Sequence, residues 1–181
     1  METTDPRTAD EEQRLIQRVV LASDTQAFDA LTQPYLGRLR GYLRGLTMHD
    51  SDADDRLQMT LIKAWQELHR FDHRGRFVAW LFRIAHREFL QGARAGKRYR
   101  QAMARYDGQS DGISQSGEQA AAAMDIETIL GSMNDDSRAA VILSRAVGLT
   151  HAEIAEAMNK PLGSVKSLLT RATQEIVAQY G

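Results

Sequence analysis

The segment GLTHAEIAEAMNKPLGSVKSLLTRA, residues 148–172, contains the start and end signals of two successive helices. Thr150 and Glu153 form a capping-box pattern, in which a hydroxyl and a carboxylate satisfy the first free amides of a helix. Asn159-Lys160-Pro161 predicts a turn, and Pro161 suits the beginning of the next helix because an amide donor is not needed there. A short capped helix, a turn and a longer helix together predict a helix-turn-helix.

The longer helix of this motif has an apolar and a polar side. Its inner stripe consists of apolar residues at helical spacing, Val165, Leu169, Ala172 and Ile176. Its outer side carries polar and basic residues that can reach base edges and phosphates in a DNA major groove, namely Ser164, Lys166, Ser167, Thr170 and Arg171. The alternative is a plain pair of packed helices with a polar outer face. Residues 125–181 contain five basic and seven acidic residues, which predicts weak sequence-independent affinity for DNA in this part of the chain.

Upstream of the motif the pattern stays helical until the composition changes. Asn134 is placed to cap a helix that Gly148 ends, and before it lies a short helical face of Ile126, Ile129, Leu130 and Met133. The segment DGQSDGISQSGEQ, residues 107–119, predicts a flexible linker because it cannot bury enough apolar surface to offset the entropy of ordering. We therefore predict a helical domain over residues 8–98, a linker over 99–124 and a second helical domain over 125–181.

The first domain is predicted to consist of four helices. Apolar residues recur at helical spacing over residues 11–45, and a capping-box pattern at residues 23–26 divides them into two stretches. A third helix has a buried stripe of Leu57, Leu61, Ala64 and Leu68. A fourth helix runs from Phe77 to about Leu90. The sequence has no sustained period-two alternation, so the predicted fold class is all-α.

Basic residues are concentrated in one part of a nearly neutral chain. The net charge is −1, yet residues 70–105 contain ten basic and two acidic residues, a net charge of +8. Such a band is typical of a polyanion partner, with a solvated basic helix as the alternative. Aromatic residues lie among or near these charges: Trp65, Phe71, Phe77, Trp80 and Phe82. Aromatic rings among arginines favour binding of single-stranded DNA, whose bases stack on the rings. The alternative is that several of these aromatic residues belong to the hydrophobic core. The loop from Phe71 to Arg76 is predicted to hold an unstacked base.

The segment DADDRLQ, residues 52–58, opens the third helix. Aspartates in a first helical turn stabilise the helix dipole, which is one interpretation of this pattern. On a helical wheel, however, Asp52, Asp55, Met59 and Ile62 share the side opposite the buried stripe. Acidic and apolar residues mixed on one exposed side predict a surface for docking another protein.

Several classes of protein are excluded or disfavoured. The chain has no cysteine, its five histidines do not converge with carboxylates, and it has no nucleophile–base motif or phosphate-binding glycine loop. We therefore predict that it is not an enzyme, with no catalytic residue, no metal site and no cofactor. The polar N-terminal segment does not resemble a secretory signal, and no run of about 18 apolar residues exists, so we expect a cytoplasmic protein with no membrane insertion.

Three segments resemble, in this order, the extracytoplasmic-function (ECF) group of the sigma-70 family of RNA polymerase sigma factors. DADDRLQMTLIKAW (52–65) is similar to the family's polymerase-binding helix. FVAWLFRIAHREFLQGARAGKR (77–98) is similar to the stretch that melts and reads the −10 promoter element, and residues 148–172 to the helix-turn-helix that reads the −35 element. The resemblance spans residues 12–97 and 125–178. It implies a region 2-like domain, a region 4-like domain and promoter-specific transcription initiation.

The resemblance also implies roles for particular residues and partners. Together with the helical wheel it assigns polymerase binding to Asp52, Asp55, Gln58, Met59 and Ile62. Recognition of the −10 element is assigned to His69, Phe71, Arg74, Arg76, Arg83, Arg87, Arg94, Lys97 and Arg98. Recognition of the −35 element is assigned to Ser164, Lys166, Ser167, Thr170 and Arg171. The implied partners are core RNA polymerase, promoter DNA (duplex upstream, melted downstream) and an anti-sigma factor.

Some positions depart from the family's pattern and leave alternatives open. The docking helix has Asp54 in place of Glu and Arg56 in place of Leu. The recognition helix has Leu168 in place of Arg, which removes a phosphate or base contact. One alternative is therefore a sigma-derived protein that docks on polymerase with weakened −35 recognition. A second is a LuxR-like DNA-binding regulator, whose helix-turn-helix is similar.

Overall fold

The computed structural model describes residues 9–72, 75–107 and 121–180, and every regular element in those ranges is helical. The first half contains α1 (Ala9–Ala22), α2 (Thr25–Thr32), α3 (Leu36–Thr47), α4 (Asp50–Glu67) and α5 (Phe77–Asp107). Short 3-10 turns follow α2 and α4 at Gln33–Tyr35 and Leu68–Arg70. The second half contains α6 (Ala121–Ser132), α7 (Asp135–Ile142), a π-helical turn (Leu143–Val147), α8 (His151–Met158) and α9 (Leu162–Tyr180). The predicted all-α fold is confirmed.

The junction between α1 and α2 lies one residue away from its predicted position. Asp24, not Ser23, caps α2, and its Oδ1 accepts a hydrogen bond from the Ala27 amide at 3.0 Å. Ser23 takes a left-handed conformation with φ 50°. Arg18 also donates to Asp24, at 2.7 Å, and the two hydrogen bonds, that from Ala27 first, lower the pKa of the Asp24 carboxyl. A carboxylate was the better acceptor at this cap because α1 supplies a guanidinium to it.

The helix predicted as the fourth of the first unit is α5, because a 3-10 turn divides the second predicted stretch into α2 and α3, and α5 is longer than predicted. We expected it to end near Leu90, but α5 continues to Asp107, so residues 99–107 of the predicted linker are helical. Residues 91–107 lack proline and consist largely of Gln, Ala, Arg and Lys, which are good helix formers. Residues 121–124, at the other end of the predicted linker, belong to α6, and residues 108–120 lie outside the described residues.

The capping residues predicted for the second unit are present in the structure. The side chain of Asn134 accepts from the Ser137 amide at 2.9 Å and caps α7. Gly148 ends the π-helical turn in a left-handed conformation with φ 78°, which glycine adopts without strain. Thr150 and Glu153 form the predicted capping box of α8. One detail is wrong, since Ile126 of the expected apolar face of α6 is exposed.

The two helical units pack against each other. α5 contacts α8, and α3 contacts both α7 and the π-helical turn. The buried apolar residues of both halves belong to one contiguous cluster, which includes Tyr42 and Phe82 from the first unit and Leu143 and Ile154 from the second. Hydrophobic burial therefore stabilises the contact between the units as well as each unit.

A buried arginine also joins the two units. Arg138 of α7 donates to the carbonyl of Leu130 at 2.6 Å and to that of Met133 at 2.9 Å. The same guanidinium donates to the carbonyl of Leu46, in the last turn of α3, at 3.3 Å. Carbonyls at helix ends lack intrahelical partners, and a guanidinium can satisfy several of them at once.

No helix of the described residues is long and apolar enough to span a membrane.

Candidate nucleic-acid interface

The outer side of α4 is formed by the residues that the sequence assigns to polymerase binding. All of them are exposed: Asp52, Asp55, Gln58, Met59 and Ile62. On the opposite side, Ala53, Thr60 and Ala64 are buried. Met59 and Ile62 keep 40% and 50% of their surface exposed although they are apolar. This side, called the α4 face below, therefore combines exposed carboxylates and apolar groups, as protein-binding surfaces do.

The carboxylates of α4 that lie beside this face are engaged with α3. Arg40 Nε is 2.6 Å from Asp54 Oδ1, and Asp50 Oδ1 accepts from Arg44 Nε at 3.0 Å. The hydrogen bond from Arg40 lowers the pKa of the Asp54 carboxyl. Asp54, a departure from the family's Glu, thus helps to hold α4 against α3, while Asp52 and Asp55 belong to the α4 face.

Arg56, the second departure in this helix, packs between α4 and α5. Its guanidinium lies on Gly92 of α5, where a Cβ would overlap it. The absence of a side chain at Gly92 lets the guanidinium lie directly on α5. The guanidinium borders a groove of about 780 Å³ between the two helices. The basic residues that line this groove are Arg56, Lys63, Arg94, Lys97 and Arg98.

The basic residues assigned to −10 recognition lie on the exposed side of α5. The exposed ones are Arg83, Arg87, Arg94, Lys97 and Arg98. Arg87 is partly neutralised, because its Nη2 is 2.6 Å from Glu67 Oε1. The opposite side of the helix, with Phe77, Leu81 and Ile84, is fully buried. A row of exposed cations along one helix is suited to following the phosphates of a nucleic-acid strand.

The aromatic residues near this basic band are core residues, contrary to the stacking interpretation. Phe71, Phe77, Trp80 and Phe82 are buried, and Trp65 is half-buried. The ring of Phe71 packs against Phe77 and Trp80 with centroid distances of 6.0 and 5.6 Å. Trp65 packs edge-on against Phe28 at 5.2 Å. These rings pack against one another and against rings of α2 and α3, so in this conformation they offer no platform to a base.

The loop predicted to hold an unstacked base lies beside the first turn of α5. His69 and Arg76 are exposed, Phe71 is buried, and Arg74 lies outside the described residues. A cavity of about 90 Å³ opens next to the loop. Its walls include Phe71, Gly75, Arg76, Trp80 and Arg83 from the first unit, and Glu156 from α8.

Two ion pairs connect this part of α5 to the helix-turn-helix. Arg76 Nη1 is 3.4 Å from Glu153 Oε1, and Arg83 Nη1 is 3.3 Å from Glu156 Oε1. Glu153 was predicted to belong to the capping box, and no role was predicted for Glu156. Opposite charges on two distant segments are visible in a sequence, but only the packing of α8 on α5 brings them together.

The outer side of α9 carries the residues assigned to −35 recognition. Ser164, Lys166, Ser167, Thr170 and Arg171 are all exposed. The hydroxyls of Ser167 and Thr170 donate to the carbonyls of Gly163 and Lys166, four residues earlier, at 3.0 and 2.9 Å. Arg171 Nε donates to the Ser167 carbonyl at 3.3 Å. Val165 and Ala172, on the inner side, are fully buried, as predicted.

Leu168 lies on the buried side of this helix. Only 8% of its surface is exposed, and it belongs to the contiguous apolar cluster. The leucine that replaces the family's Arg is therefore a packing residue here.

Within residues 9–72, 75–107 and 121–180, no cluster of His, Asp or Glu is arranged to hold a metal ion.

The exposed basic helix and the helix-turn-helix together define a DNA-binding protein. Comparison with known families is more specific, since residues 31–99 match the model of Sigma-70 region 2 and residues 123–176 that of Sigma-70, region 4. The chain is 30% identical to the RNA polymerase sigma factor NccH of Alcaligenes xylosoxydans xylosoxydans, over 86% of this chain and 87% of that one. It is 26% identical to the ECF RNA polymerase sigma-E factor of Haemophilus influenzae, over 91% and 93% of the two chains.

A solved structure has the same fold. The sigma factor RpoE of Bartonella quintana, in complex with the anti-sigma factor NepR, is 28% identical and superposes with a TM-score of 0.70, covering 85% of this chain and 98% of that one. The chain belongs to the ECF group of the sigma-70 family of RNA polymerase sigma factors. It is a transcription initiation factor, which excludes the LuxR-like alternative.

Proposed function

We propose that this sigma factor docks on core RNA polymerase through the α4 face, engages the −10 element with α5 and its preceding loop, and contacts the −35 element with α9. The exposure of the whole α4 face carries the first part of this proposal. Met59 and Ile62 would otherwise leave apolar surface in water, and their burial by polymerase would be favourable. Asp52, Asp55 and Gln58 surround them with polar groups that fix the orientation of a partner.

The role of α5 is supported by its charge and by the direction of its basic side chains. Arg94, Lys97 and Arg98 border the same groove and face solvent. Neutralising phosphates with such groups releases counterions, so binding through α5 should weaken steeply as salt is added. The base would be held by the polar part of the loop, with His69 and Arg76, since the Phe71 ring is in the core.

The role of α9 is supported by the exposure of its five assigned residues. Among them only Lys166 and Arg171 carry charge, and the unit as a whole is acidic. We infer that −35 recognition depends on few phosphate contacts and adds modest affinity to a holoenzyme already held at the −10 element. Leu168 is used in packing, which is consistent with weakened −35 recognition.

The remaining partners and the location follow from this role. We propose that an anti-sigma factor regulates the chain, because the Bartonella quintana relative has been solved in complex with one. We propose a cytoplasmic location, where polymerase and chromosomal DNA are found. Opening a duplex needs no covalent step from this chain, and no residue is assigned a catalytic role.

A charge reversal on the α4 face tests the proposed docking. Asp55→Lys places a cation in the centre of the face without touching the core, because Asp55 is exposed. We expect the affinity for purified core polymerase to fall by about ten-fold, which corresponds to about 1.4 kcal/mol. Binding is measured by fluorescence anisotropy of the labelled sigma factor. Asp29→Lys, an identical change at an exposed position of α2, is the matched control and should bind core like the wild type. Equal core affinity of the Asp55 and Asp29 variants would show that the docking face lies elsewhere.

A further inference from the structure

In this structure α8 of the helix-turn-helix lies against one end of the proposed −10 surface, at Arg76 and Arg83. Arg76 and Arg83, which flank the candidate base-holding loop and the start of α5, each face a carboxylate of α8 across 3.4 and 3.3 Å. A Cβ on Gly75 of the loop would come within 3.7 Å of Glu156 Oε2. Glu156 also lines the cavity of about 90 Å³ beside the loop, together with Arg76 and Arg83.

Carboxylates at these positions resemble phosphates in their interaction with arginine. A guanidinium donates charge-assisted hydrogen bonds to a carboxylate and to a phosphate in the same way. Glu153 and Glu156 lie three residues apart on α8, so both project towards α5 from one side of the helix. Arg76 and Arg83 are seven residues apart, about two helical turns, and therefore lie along one line of the DNA-facing surface.

The ion pairs themselves contribute little to holding the units together. The side chains of Arg76, Arg83 and Glu156 are substantially exposed, and only that of Glu153 is largely covered. Ion pairs between exposed side chains are weak because water and salt screen them. The buried apolar residues that the two units share, among them Tyr42, Phe82, Leu143 and Ile154, form a seam between them. This seam and the hydrogen bonds of Arg138 stabilise the closed arrangement, in which the two units are packed together. The glutamates instead determine what the basic surface can bind, since any incoming phosphate must displace them and is repelled by them.

We propose that Glu153 and Glu156 act as an intramolecular substitute for DNA, which masks the −10 surface of the free chain until the two units separate. This inference rests on the proposed role of Arg76 and Arg83 in −10 binding. The α4 face remains exposed in the closed chain, so polymerase can dock first and DNA binding follows the opening. The closed free chain would thereby bind nucleic acid more weakly than the open one, and no other protein would be needed for this effect.

The test compares DNA binding by the free full-length chain before and after both carboxylates are neutralised. Glu153→Gln combined with Glu156→Gln removes the two charges, while Gln at position 153 still completes the capping box of α8. The probe is a short fluorescein-labelled single-stranded DNA of mixed sequence, followed by anisotropy at low salt without polymerase. We expect the double variant to bind about five-fold more tightly, because an incoming phosphate no longer has to displace two carboxylates or overcome their repulsion. The difference should shrink at high salt.

The control removes two carboxylates from exposed positions elsewhere. Asp10→Asn combined with Asp29→Asn changes the net charge equally, in α1 and α2, and should leave the affinity close to that of the wild type. If the two double variants bind the probe equally, the masking role of the glutamates is overturned. Circular dichroism before each titration verifies that α8 is still folded.

A second pair of substitutions separates this inference from the proposed function. Arg76→Gln and Arg83→Gln are introduced into the double-glutamine background and should return the affinity to the wild-type level or below. If the arginine changes lower the affinity below the wild-type level while the glutamate changes alone have no effect, the −10 surface stands and the masking is wrong. If the arginine changes have no effect in either background, the −10 assignment itself fails, and the masking proposal with it.

Discussion

His86 of α5 is buried where the two units meet and forms a hydrogen bond of 2.8 Å between its Nδ1 and the Tyr42 hydroxyl. Burial raises the pKa of Tyr42, so the phenol stays protonated and donates, and Nδ1 accepts. Burial is also the main cause that lowers the pKa of His86 to about 4, while Asp136 raises it and Lys160 lowers it, both from the second unit. The ring is thus neutral, with its proton on Nε2, which is buried and has no hydrogen-bond partner among the described residues.

This histidine predicts a dependence of stability on pH. The folded pKa of His86 lies below the unfolded value of 6.5, so the unfolded chain binds more protons between pH 6.5 and 4. Its contribution is therefore fully present above pH 6.5 and is lost as the pH falls towards 4. We expect the wild type to lose about 2 kcal/mol of unfolding free energy between pH 7.5 and 5 that His86→Gln does not lose. Urea unfolding at the two pH values measures it. Parallel losses in the two proteins would assign the acid sensitivity to other groups.

At the scale of the element, the sequence predicted the ends of helices well where a cap is local. Thr150 with Glu153, Asn134 and Gly148 each act within a few residues, so their sequence pattern is sufficient. The junction at Asp24 was misplaced because the choice between Ser23 and Asp24 depends on Arg18, a residue of the preceding helix. The C-terminal part of α5 was missed because its helical propensity comes from polar residues without apolar periodicity.

The recognition helix shows the same division between local and long-range information. Its exposed and buried sides follow from helical spacing, and all five assigned DNA-facing residues are exposed. From the sequence, Leu168 was interpreted only as the loss of a contact to DNA. Its burial could not be read from the sequence, because it depends on how α9 lies in the apolar cluster shared by both units.

Arg171 tests the recognition helix separately from polymerase docking. Arg171→Ala removes an exposed guanidinium that donates to the Ser167 carbonyl of its own helix, so we expect folding to be unaffected. We expect promoter affinity of the holoenzyme to fall by about ten-fold, with core affinity unchanged. The promoters are first located by sequencing transcript starts made by core polymerase plus this chain on fragmented genomic DNA. Arg14→Ala, at an exposed position of α1, is the control. Unchanged promoter affinity of the Arg171 variant would mean that α9 does not read the −35 element.

At the scale of the whole molecule, the two units behave as one packed body with a continuous apolar core. Sequence patterns predicted each unit, but they contain no signal for the seam between them. The seam is made by helix sides that look like ordinary buried stripes, and by Arg138, whose bond to the Leu46 carbonyl joins segments 92 residues apart. The predicted positions of the domain boundaries remain predictions, since residues 108–120 lie outside the described part of the chain.

Gly45 marks the point of closest approach in this seam. A Cβ at Gly45 of α3 would lie 2.6 Å from Ile142 Cδ1 of α7 and 3.8 Å from Leu130 Cδ1 of α6. A single Cβ could be accommodated, because the end of an isoleucine side chain can rotate away. A larger side chain has no such room, since two apolar groups of the second unit occupy the space.

Gly45→Leu is therefore expected to separate the two units. Forcing a leucine into this seam should cost about 1–3 kcal/mol, which the closed arrangement avoids by opening. We expect a larger radius of gyration by small-angle X-ray scattering and tighter binding of single-stranded DNA, because Arg76 and Arg83 are then released from Glu153 and Glu156. Gly41→Leu is the matched control, since it adds the same side chain to the same helix where a Cβ meets nothing within 4 Å. If the two variants scatter alike and bind DNA alike, the seam does not hold the free chain closed, and the masking by α8 loses its structural basis.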